Sequence, residues 1–318
     1  MTARGRSQTC PGFLIYNRGT MFSHRNLIRI ILPLAFALGL AGCALRSTPE
    51  PATFTPEPTF TPEPPTATPE PMALTVNGEG ITFPEFDGEV ARYTAAQTAL
   101  GKTVDSASAT STVIEDLVAQ MLRAQAARAN GFSLDDAALQ ARIDSLAAQI
   151  GGADKLSAWQ QSHGYTDPTF RSALRRAAES AWMRDKIISG VPSTAEQVHV
   201  QQILLYNQDT AQNFLAQLNG GADFNELALR ADPLTRGDLG WVPRGYLLET
   251  KIEEAAFNLQ AGGYSDVIAT EVGFHILRVL ERDPARVLSP DAYLTLQELA
   301  LKKWVEEQRA SANVILAP

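Results

Sequence analysis

The sequence predicts an α+β fold in which helices and a small antiparallel sheet occupy different parts of the chain. Apolar residues recur at helical spacing between residues 112 and 188, and again near the C-terminus between Tyr293 and Trp304. Between these helical parts, residues 196–283 alternate short strand-like runs with short helical ones. The chain has 318 residues, which is enough for two domains that each bury a hydrophobic core.

The N-terminal segment, residues 1–43, is typical of a bacterial signal peptide, with Met21 as the expected start of the chain. Basic residues precede an apolar run over residues 30–40, which is too short to span a bilayer. The segment ends in Leu-Ala-Gly-Cys, which resembles the bacterial lipoprotein box. That resemblance implies a lipid on Cys43 and an extracytoplasmic protein anchored to the cell membrane. An ordinary cleavable signal with a chance cysteine is the alternative.

Residues 44–72 are expected to form a spacer with Thr-Pro-Glu-Pro repeats that begin at Thr48, Thr55, Thr61 and Thr68. Proline fixes φ and removes a hydrogen-bond donor, so the repeats exclude helix and sheet and favour polyproline II. Such a stalk could hold the folded body on the order of 70 Å from a membrane. A proline-rich docking motif is the alternative interpretation.

The helical part begins with a hairpin and an amphipathic helix. Residues 74–82 place two short apolar runs around a glycine-containing turn, which predicts a small hairpin. Residues 112–130 then predict a helix that Gly131 ends. Its apolar face consists of Ile114, Leu117, Val118, Met121 and Leu122.

Two further helices follow, and one more lies at the C-terminus. Residues 133–150 predict a helix capped by Ser133 and ended by Gly151. Asp167 is expected to cap the next helix, with Pro168 in its first turn. The predicted apolar stripe of that helix is Phe170, Leu174, Ala177, Ala181 and Ile188. The C-terminal helix presents Tyr293, Leu296, Ala300 and Trp304 on one side.

The region from 196 to 283 predicts a compact domain around an antiparallel sheet. The expected strands and helices are short, so the helices are expected to flank the sheet. Strands are expected at 198–206, 239–242, 266–270 and 274–280, and helices at 210–218, 224–230 and 252–259.

Composition and charge exclude several classes of function. The net charge is −8 and the isoelectric point is near 5.1, so a nucleic acid is not the expected partner. The two cysteines, Cys10 and Cys43, both precede the folded part, so a disulfide framework and a thiol nucleophile are excluded there. The histidines are scattered without metal-ligand spacing, so a metal site is not expected.

Three segments of the middle region resemble the parvulin family of peptidyl-prolyl isomerases, in matching order and spacing. They are Gly237-Asp238-Leu239-Gly240-Trp241, the run from Glu254 to Leu259 followed by Gly262 and Ser265, and the run from Thr270 to Leu277. The layout of the whole chain is similar to bacterial folding factors of the SurA and PrsA type. That resemblance implies one peptide-binding module, built from N- and C-terminal helices, with the isomerase inserted between them.

The expected domains follow from this resemblance. Residues 73–192 would form a helical SurA-like chaperone domain, and residues 196–283 a parvulin-type isomerase domain. Residues 288–318 would form a C-terminal helix that packs on the helical domain.

The resemblance also implies roles for particular side chains. Leu248, Ile252 and Phe257 would form the apolar cup for the proline ring. Thr270 and His275 would belong to the hydrogen-bond network that orients the site. Without the resemblance, the three apolar residues would be ordinary core, and His275 would be a core histidine with satisfied hydrogen bonds.

Two positions depart from the family pattern or match it loosely. Gln202 stands where the family usually has a histidine, and it can donate and accept a hydrogen bond but cannot titrate. One hydrogen bond to Thr270 or His275 could survive this exchange, whereas His199 is expected to point to the opposite face of the sheet. Asp232 lies near the family's cysteine or aspartate, and a turn residue before proline is a competing interpretation.

Rotation about an X-Pro bond breaks amide resonance and meets a barrier of roughly 18–20 kcal/mol. Tighter binding of the twisted amide than of the planar one lowers that barrier without a cofactor. The favoured hypothesis is an isomerase, with an activity that Gln202 could reduce, and a chaperone for secreted or cell-surface proteins. Its partners would be unfolded or proline-containing polypeptides. A non-catalytic holdase with a degenerate parvulin domain is the alternative, and a tethered adaptor for one folded partner is a third hypothesis.

Overall fold

The computed structural model describes residues 70–317. The predicted signal peptide, its lipidation site Cys43 and nearly all of the predicted spacer lie outside the described residues, so these three features stay predictions. Within the described range, no helix is both long and apolar enough to cross a membrane.

The described chain alternates between a helical body and a small sheet domain. In chain order its elements are β1 (Met72–Val76), β2 (Glu79–Thr82), α1 (Phe83–Ala99), α2 (Ser106–Ala129), α3 (Asp136–Ile150), α4 (Ala153–Ser162), α5 (Asp167–Ser189), β3 (Thr194–Leu205), α6 (Gln208–Asn219), α7 (Phe224–Ala231), β4 (Asp238–Pro243), α8 (Thr250–Asn258), β5 (Ile268–Ala269), β6 (Phe274–Val287), α9 (Pro290–Ser311) and β7 (Val314–Leu316).

The helical body is completed by the C-terminal end of the chain. The predicted hairpin forms from β1 and β2, and β7 pairs with the other edge of β1 to give a three-stranded sheet. The apolar face of α2 packs on this sheet, and Trp304 of α9 packs against the same core. The α+β prediction, with a helical module that the last helix completes, is confirmed. The strand β7 was not predicted.

The starts of two helices differ from the prediction. Helix α3 begins at Asp136 and is capped by Asp135, whose carboxylate accepts a hydrogen bond from the Ala138 N–H, so Ser133 is not the cap. Helix α5 is capped by Thr166 rather than Asp167, because the Thr166 side chain and Thr169 form a reciprocal capping box. Helices α1 and α4 were not predicted; α1 packs Phe86, Val90 and Tyr93 on the hairpin core, and α4 buries Leu156.

The buried face of α5 is polar where an apolar stripe was predicted. Phe170 is buried as expected, but Ala177 is exposed, while Arg176, Glu179 and Ser180 are buried. The physical reason is that α5 faces α2 and α1 through paired polar side chains, which tolerate burial because they are hydrogen-bonded or ion-paired. These contacts are Arg176 with Glu85 at 2.8 Å and with Gln120 at 2.7 Å, Arg123 with Ser180 at 2.9 Å, and Arg128 with Glu179.

The small sheet domain contains a four-stranded antiparallel sheet with strand order β4-β3-β6-β5. Helix α8 covers one face, where Ile252 and Phe257 pack on strand residues such as Val200 and Leu277. Helices α6 and α7 cover the other face around Ile203 and Ile276. All seven predicted strands and helices of this region are present, and the small antiparallel sheet flanked by short helices is confirmed.

Candidate active site

Two long central strands place the candidate side chains on the same face of the sheet. In the β3–β6 register, Gln202 pairs with Leu277 and Leu204 pairs with His275. Residues directly opposite each other share a face, and side chains alternate along each strand. Gln202 and His275 therefore both lie on the face that α8 covers, at the end of the core that contains Leu277.

His275 is buried and has a partner at each ring nitrogen. Its Nδ1 lies 3.1 Å from Oε1 of Gln202, and its Nε2 lies 2.9 Å from Oγ1 of Thr270. The Thr270 hydroxyl also accepts from the Val272 N–H at 3.2 Å. The structure thus brings together Gln202, Thr270 and His275, which lie on three different strands or turns.

The turn before β6 explains why this motif contains glycine. The Thr270 N–H donates to the Gly273 carbonyl at 2.9 Å, which closes a tight turn from β5 into β6. Gly273 has a φ of 148°, and a Cβ there would lie 2.7 Å from the Leu205 carbonyl oxygen. A side chain at this position would push the Thr270 turn away from β3, and with it the partner of His275.

Burial lowers the pKa of His275 below its ordinary value, and the negative charge of Glu249 opposes this shift. The imidazole is therefore neutral near neutral pH, with one donor and one acceptor nitrogen. Glutamine can present either its carbonyl or its amide group to Nδ1, so Gln202 can satisfy either tautomer. Glutamine in place of the histidine that the family usually has keeps a hydrogen bond to His275 and removes one titrating group.

Gly237 places the backbone of Gln202. The Gln202 N–H donates to the Gly237 carbonyl at 2.8 Å, and Gly237 has a φ of 68°. A Cβ at Gly237 would lie 1.8 Å from the Gln202 carbonyl oxygen, which no side chain could accommodate. The first glycine of the Gly-Asp-Leu-Gly-Trp segment is thus required for contact with the strand that carries Gln202.

Asp232 organises its own loop. Its carboxylate accepts from the Leu234 N–H at 3.0 Å and the Gly237 N–H at 3.4 Å, and also from the Thr235 hydroxyl. The Thr235 hydroxyl, followed by the backbone N–H groups, lowers the pKa of this carboxyl. All hydrogen bonds of the Asp232 side chain in the described structure stay within residues 232–237, as the turn interpretation predicts. The loop then reaches Gln202 through Gly237.

Of the three residues of the predicted proline cup, Ile252 and Phe257 share one cluster, and Leu248 lies apart from it. Leu248 is fully exposed, while Ile252 and Phe257 are 4% exposed and belong to the core beneath α8. The reason is that the loop before α8 turns Leu248 outward, whereas the amphipathic helix turns the other two inward. Leu239 and Leu247 are among the half-buried side chains that pack on the same core, and neither was assigned to the cup. Leu239 lies inside the recognised glycine motif and could have been found from it.

His199 lies apart from the His275 network, as its strand position predicted. Its Nε2 is 2.8 Å from Oδ1 of Asp238, and its ring stacks on Trp241. Among residues 70–317, no three His, Cys, Asp or Glu side chains come together as a metal site requires. The candidate site therefore consists of a neutral hydrogen-bond network beside a partly exposed apolar surface.

Comparison with known proteins identifies both parts of the chain. Residues 195–281 match the family model of the PPIC-type PPIase domain, and residues 66–169 match that of the SurA-like N-terminal domain. The resemblance to parvulins and to folding factors of the SurA and PrsA type is confirmed. The two matched stretches follow one another in the chain, with residues 170–194 between them.

Several curated proteins are similar over part of the chain. Foldase protein PrsA of Geobacillus kaustophilus is 35% identical over 91 residues, which are 27% of this chain and 32% of that protein. Foldase protein PrsA of Halalkalibacterium halodurans is 26% identical over 227 residues, or 64% of this chain and 65% of that one. Chaperone SurA of Alcanivorax borkumensis is 24% identical over 209 residues, or 54% and 47%. The chain thus spans between about a third and two thirds of the length of these relatives.

The chain is also similar to a solved structure. The crystal structure of the peptidylprolyl isomerase PrsA from Bacillus cereus has 18% sequence identity and a TM-score of 0.40. The match covers 72% of this chain and 81% of that one.

Proposed function

We propose that this chain, which carries a PPIC-type parvulin domain behind a SurA-like N-terminal domain, is a peptidyl-prolyl cis-trans isomerase and folding chaperone. The observation that carries the proposal is the buried His275 with hydrogen-bond partners at both ring nitrogens. This network lies on the same sheet face as the half-buried Leu239 and Leu247. It combines a rigid polar centre with an apolar surface that a proline ring could contact.

The chemistry that this site would perform is rotation, with no bond made or broken. The barrier of roughly 18–20 kcal/mol arises from amide resonance, which the twisted transition state lacks. A site that fits the twisted amide better than either planar isomer lowers the barrier. In our proposal His275, Thr270 and Gln202 form the polar centre. Asp232 holds the loop whose Gly237 contacts the backbone of Gln202.

The apolar part of the proposed site is built around the β4–α8 loop. Leu239 and Leu247 would contact the proline ring, with Leu248 at the exposed rim. Ile252 and Phe257 would form the floor beneath them, since both pack in the same cluster. A proline ring buried there gains roughly 25 cal/mol per Å² of apolar surface, which favours binding of the ring at this surface.

Exchange NMR on a short X-Pro peptide tests the isomerase activity of the full chain. Wild type should accelerate cis/trans exchange, His275→Ala should abolish the acceleration, and the control His163→Ala in the helical body should not. Gln202→His should remain active. No acceleration by wild type, with activity gained in Gln202→His, would instead identify a domain that has lost catalysis.

A non-catalytic holdase is the second candidate, and one observation favours it. The helical body contains an open cavity of about 600 Å³. Its accessible lining is mainly charged, since several arginines lie beside acidic residues while Ile81, Met121 and Leu139 are buried, and charged groups suit the polar backbone of an unfolded segment. If the holdase alone explains the function, His275→Ala should suppress aggregation of an unfolded client as well as wild type does, and wild type should not accelerate exchange.

We further propose that the protein is lipid-anchored through Cys43, outside the cytoplasm, and acts on secreted or cell-surface proteins. The sequence order of basic residues, apolar run and Leu-Ala-Gly-Cys supports this proposal. Cell fractionation tests it: wild type should sediment with membranes, and Cys43→Ala should lose the lipid detected by mass spectrometry. An unmodified Cys43 in the membrane fraction would refute the anchor.

A further inference from the structure

The loop between β4 and α8, residues 244–249, lies between the helical body and the candidate site. On its inner side, the Gly245 and Leu247 N–H groups donate to one carboxylate oxygen of Glu253, at 2.8 and 3.3 Å. Leu247 packs on the core beneath α8. The loop is therefore fixed to the parvulin domain by its backbone and by one apolar side chain.

On its outer side this loop meets α9, which belongs to the helical body, at Gly245. A Cβ at Gly245 would lie 2.7 Å from Cδ2 of Leu299 and 3.4 Å from Cδ2 of Leu296. These two leucines are three positions apart and so lie on one face of the helix. Gly245 has a φ of 84°, so glycine serves both the backbone conformation and the close approach.

Helix α9 is itself anchored in the helical body. Trp304 packs in the core of α2 and the hairpin. The Gln297 side chain donates to the Ile188 carbonyl at 3.4 Å, and the Tyr293 hydroxyl donates to the Val191 carbonyl at 3.4 Å. The helix thus connects the end of α5 and the N-terminal core to the loop that carries Leu247 and Leu248.

We propose that Leu296 and Leu299 are positioning residues for the isomerase site, through which the helical body sets the conformation of the 244–249 loop. The loop supplies the apolar rim of the site, so a displaced loop misplaces the surface that receives the proline ring. Its last residue, Glu249, also acts electrostatically on His275, which connects the loop to the polar centre. This inference rests on the proposed isomerase function, and it makes the helical body a determinant of the geometry of the isomerase site.

A leucine scan of α9 in the full chain tests the proposal. Leu299→Ala should lower kcat/KM for a short X-Pro peptide by about tenfold, because small displacements of binding groups are costly to catalysis. Leu294→Ala is the matched control, since both leucines are largely exposed on the same helix, at 57% and 44%, and of the two only Leu299 lies within 4 Å of a Cβ at Gly245. Leu299→Met should restore most of the activity because it refills the contact. Equal activities of Leu299→Ala and Leu294→Ala would overturn the proposal.

Two further measurements separate positioning from a general loss of stability. The NMR titration midpoint of His275 should move in Leu299→Ala and stay at the wild-type value in Leu294→Ala. In urea unfolding, Gly245→Ala should cost less in the Leu299→Ala background than in wild type, because the steric conflict is removed while the backbone strain stays. An unmoved midpoint or strictly additive costs would refute the contact. Both measurements are independent of turnover, so they remain decisive if wild type fails to accelerate exchange and the proposed function falls.

Discussion

Replacing Gly237 by alanine should destabilise the parvulin domain much more than the same change at Gly240, three residues later in the same motif. Both glycines have a left-handed backbone, with φ values of 68° and 71°. The cost of placing an L-residue in that conformation, roughly 1–2 kcal/mol, is therefore common to both variants. What differs is the space around the added methyl group.

At Gly240 a Cβ meets nothing within 4 Å, whereas at Gly237 it would lie 1.8 Å from the Gln202 carbonyl oxygen and 2.9 Å from the carbonyl carbon. Both of these atoms belong to the backbone of a central strand and cannot rotate away. The loop must separate from β3, which breaks the hydrogen bond from the Gln202 N–H to the Gly237 carbonyl. A donor left without a partner costs about 1–3 kcal/mol, so the loss of stability in Gly237→Ala should exceed that in Gly240→Ala by about 1–3 kcal/mol.

Urea unfolding of the two variants measures this difference, with circular dichroism as the signal. The amide resonance of Gln202 should shift strongly in Gly237→Ala, and exchange catalysis should fall with it, because Gln202 is a direct partner of His275. Gly240→Ala should leave both near their wild-type values. Equal losses of stability in the two variants would refute the reasoning, since they would mean that the contact with β3 contributes nothing.

Two other predictions concern buried charge. Because burial lowers the pKa of His275, the stability from its neutral form is present above the ordinary histidine pKa of about 6.5 and is lost as the pH falls through the lowered folded value. The urea midpoint of His275→Gln should therefore fall less than that of wild type on acidification through this range, and equal falls would contradict the shift. Arg176→Met leaves the buried Glu85 unpaired and should cost about 3 kcal/mol. Arg175→Met, which breaks only a pair with the exposed Asp136, should cost less than about 1 kcal/mol, and equal unfolding free energies would contradict the reasoning.

The elements of the parvulin domain follow from the sequence because each has a regular apolar face. Residues such as Val198, Val200 and Ile203 lie in a strand whose two faces pack on different helices, and the pattern predicts the strand. The buried face of α5 could not be predicted from the sequence, because its buried positions include Arg176 and Glu179. Apolar periodicity cannot identify a surface that is buried through charge pairing, and only the neighbouring helices supply the partners.

The candidate site, too, could be predicted from the sequence only in part. The motifs indicated Thr270, His275 and the position of Gln202, since these residues lie at characteristic spacings along strands and turns. They could not establish that Gln202 reaches the ring of His275, because that contact joins residues 73 positions apart through strand register. They also selected Leu248 for the cup, although the loop turns it into solvent and leaves Leu247 on the core.

By itself, the sequence determined the fold class, the order of the strands and helices within the parvulin domain, and the motifs that identify that domain. Each of these depends on residues close together in the chain, where spacing and turn-forming glycines act directly. Only the tertiary structure decided the partners of His275, the polar packing of α5, and the contact of Leu299 with the loop at Gly245. Those features depend on which distant segments of the chain come into contact, and the local periodicity of the sequence does not specify those contacts.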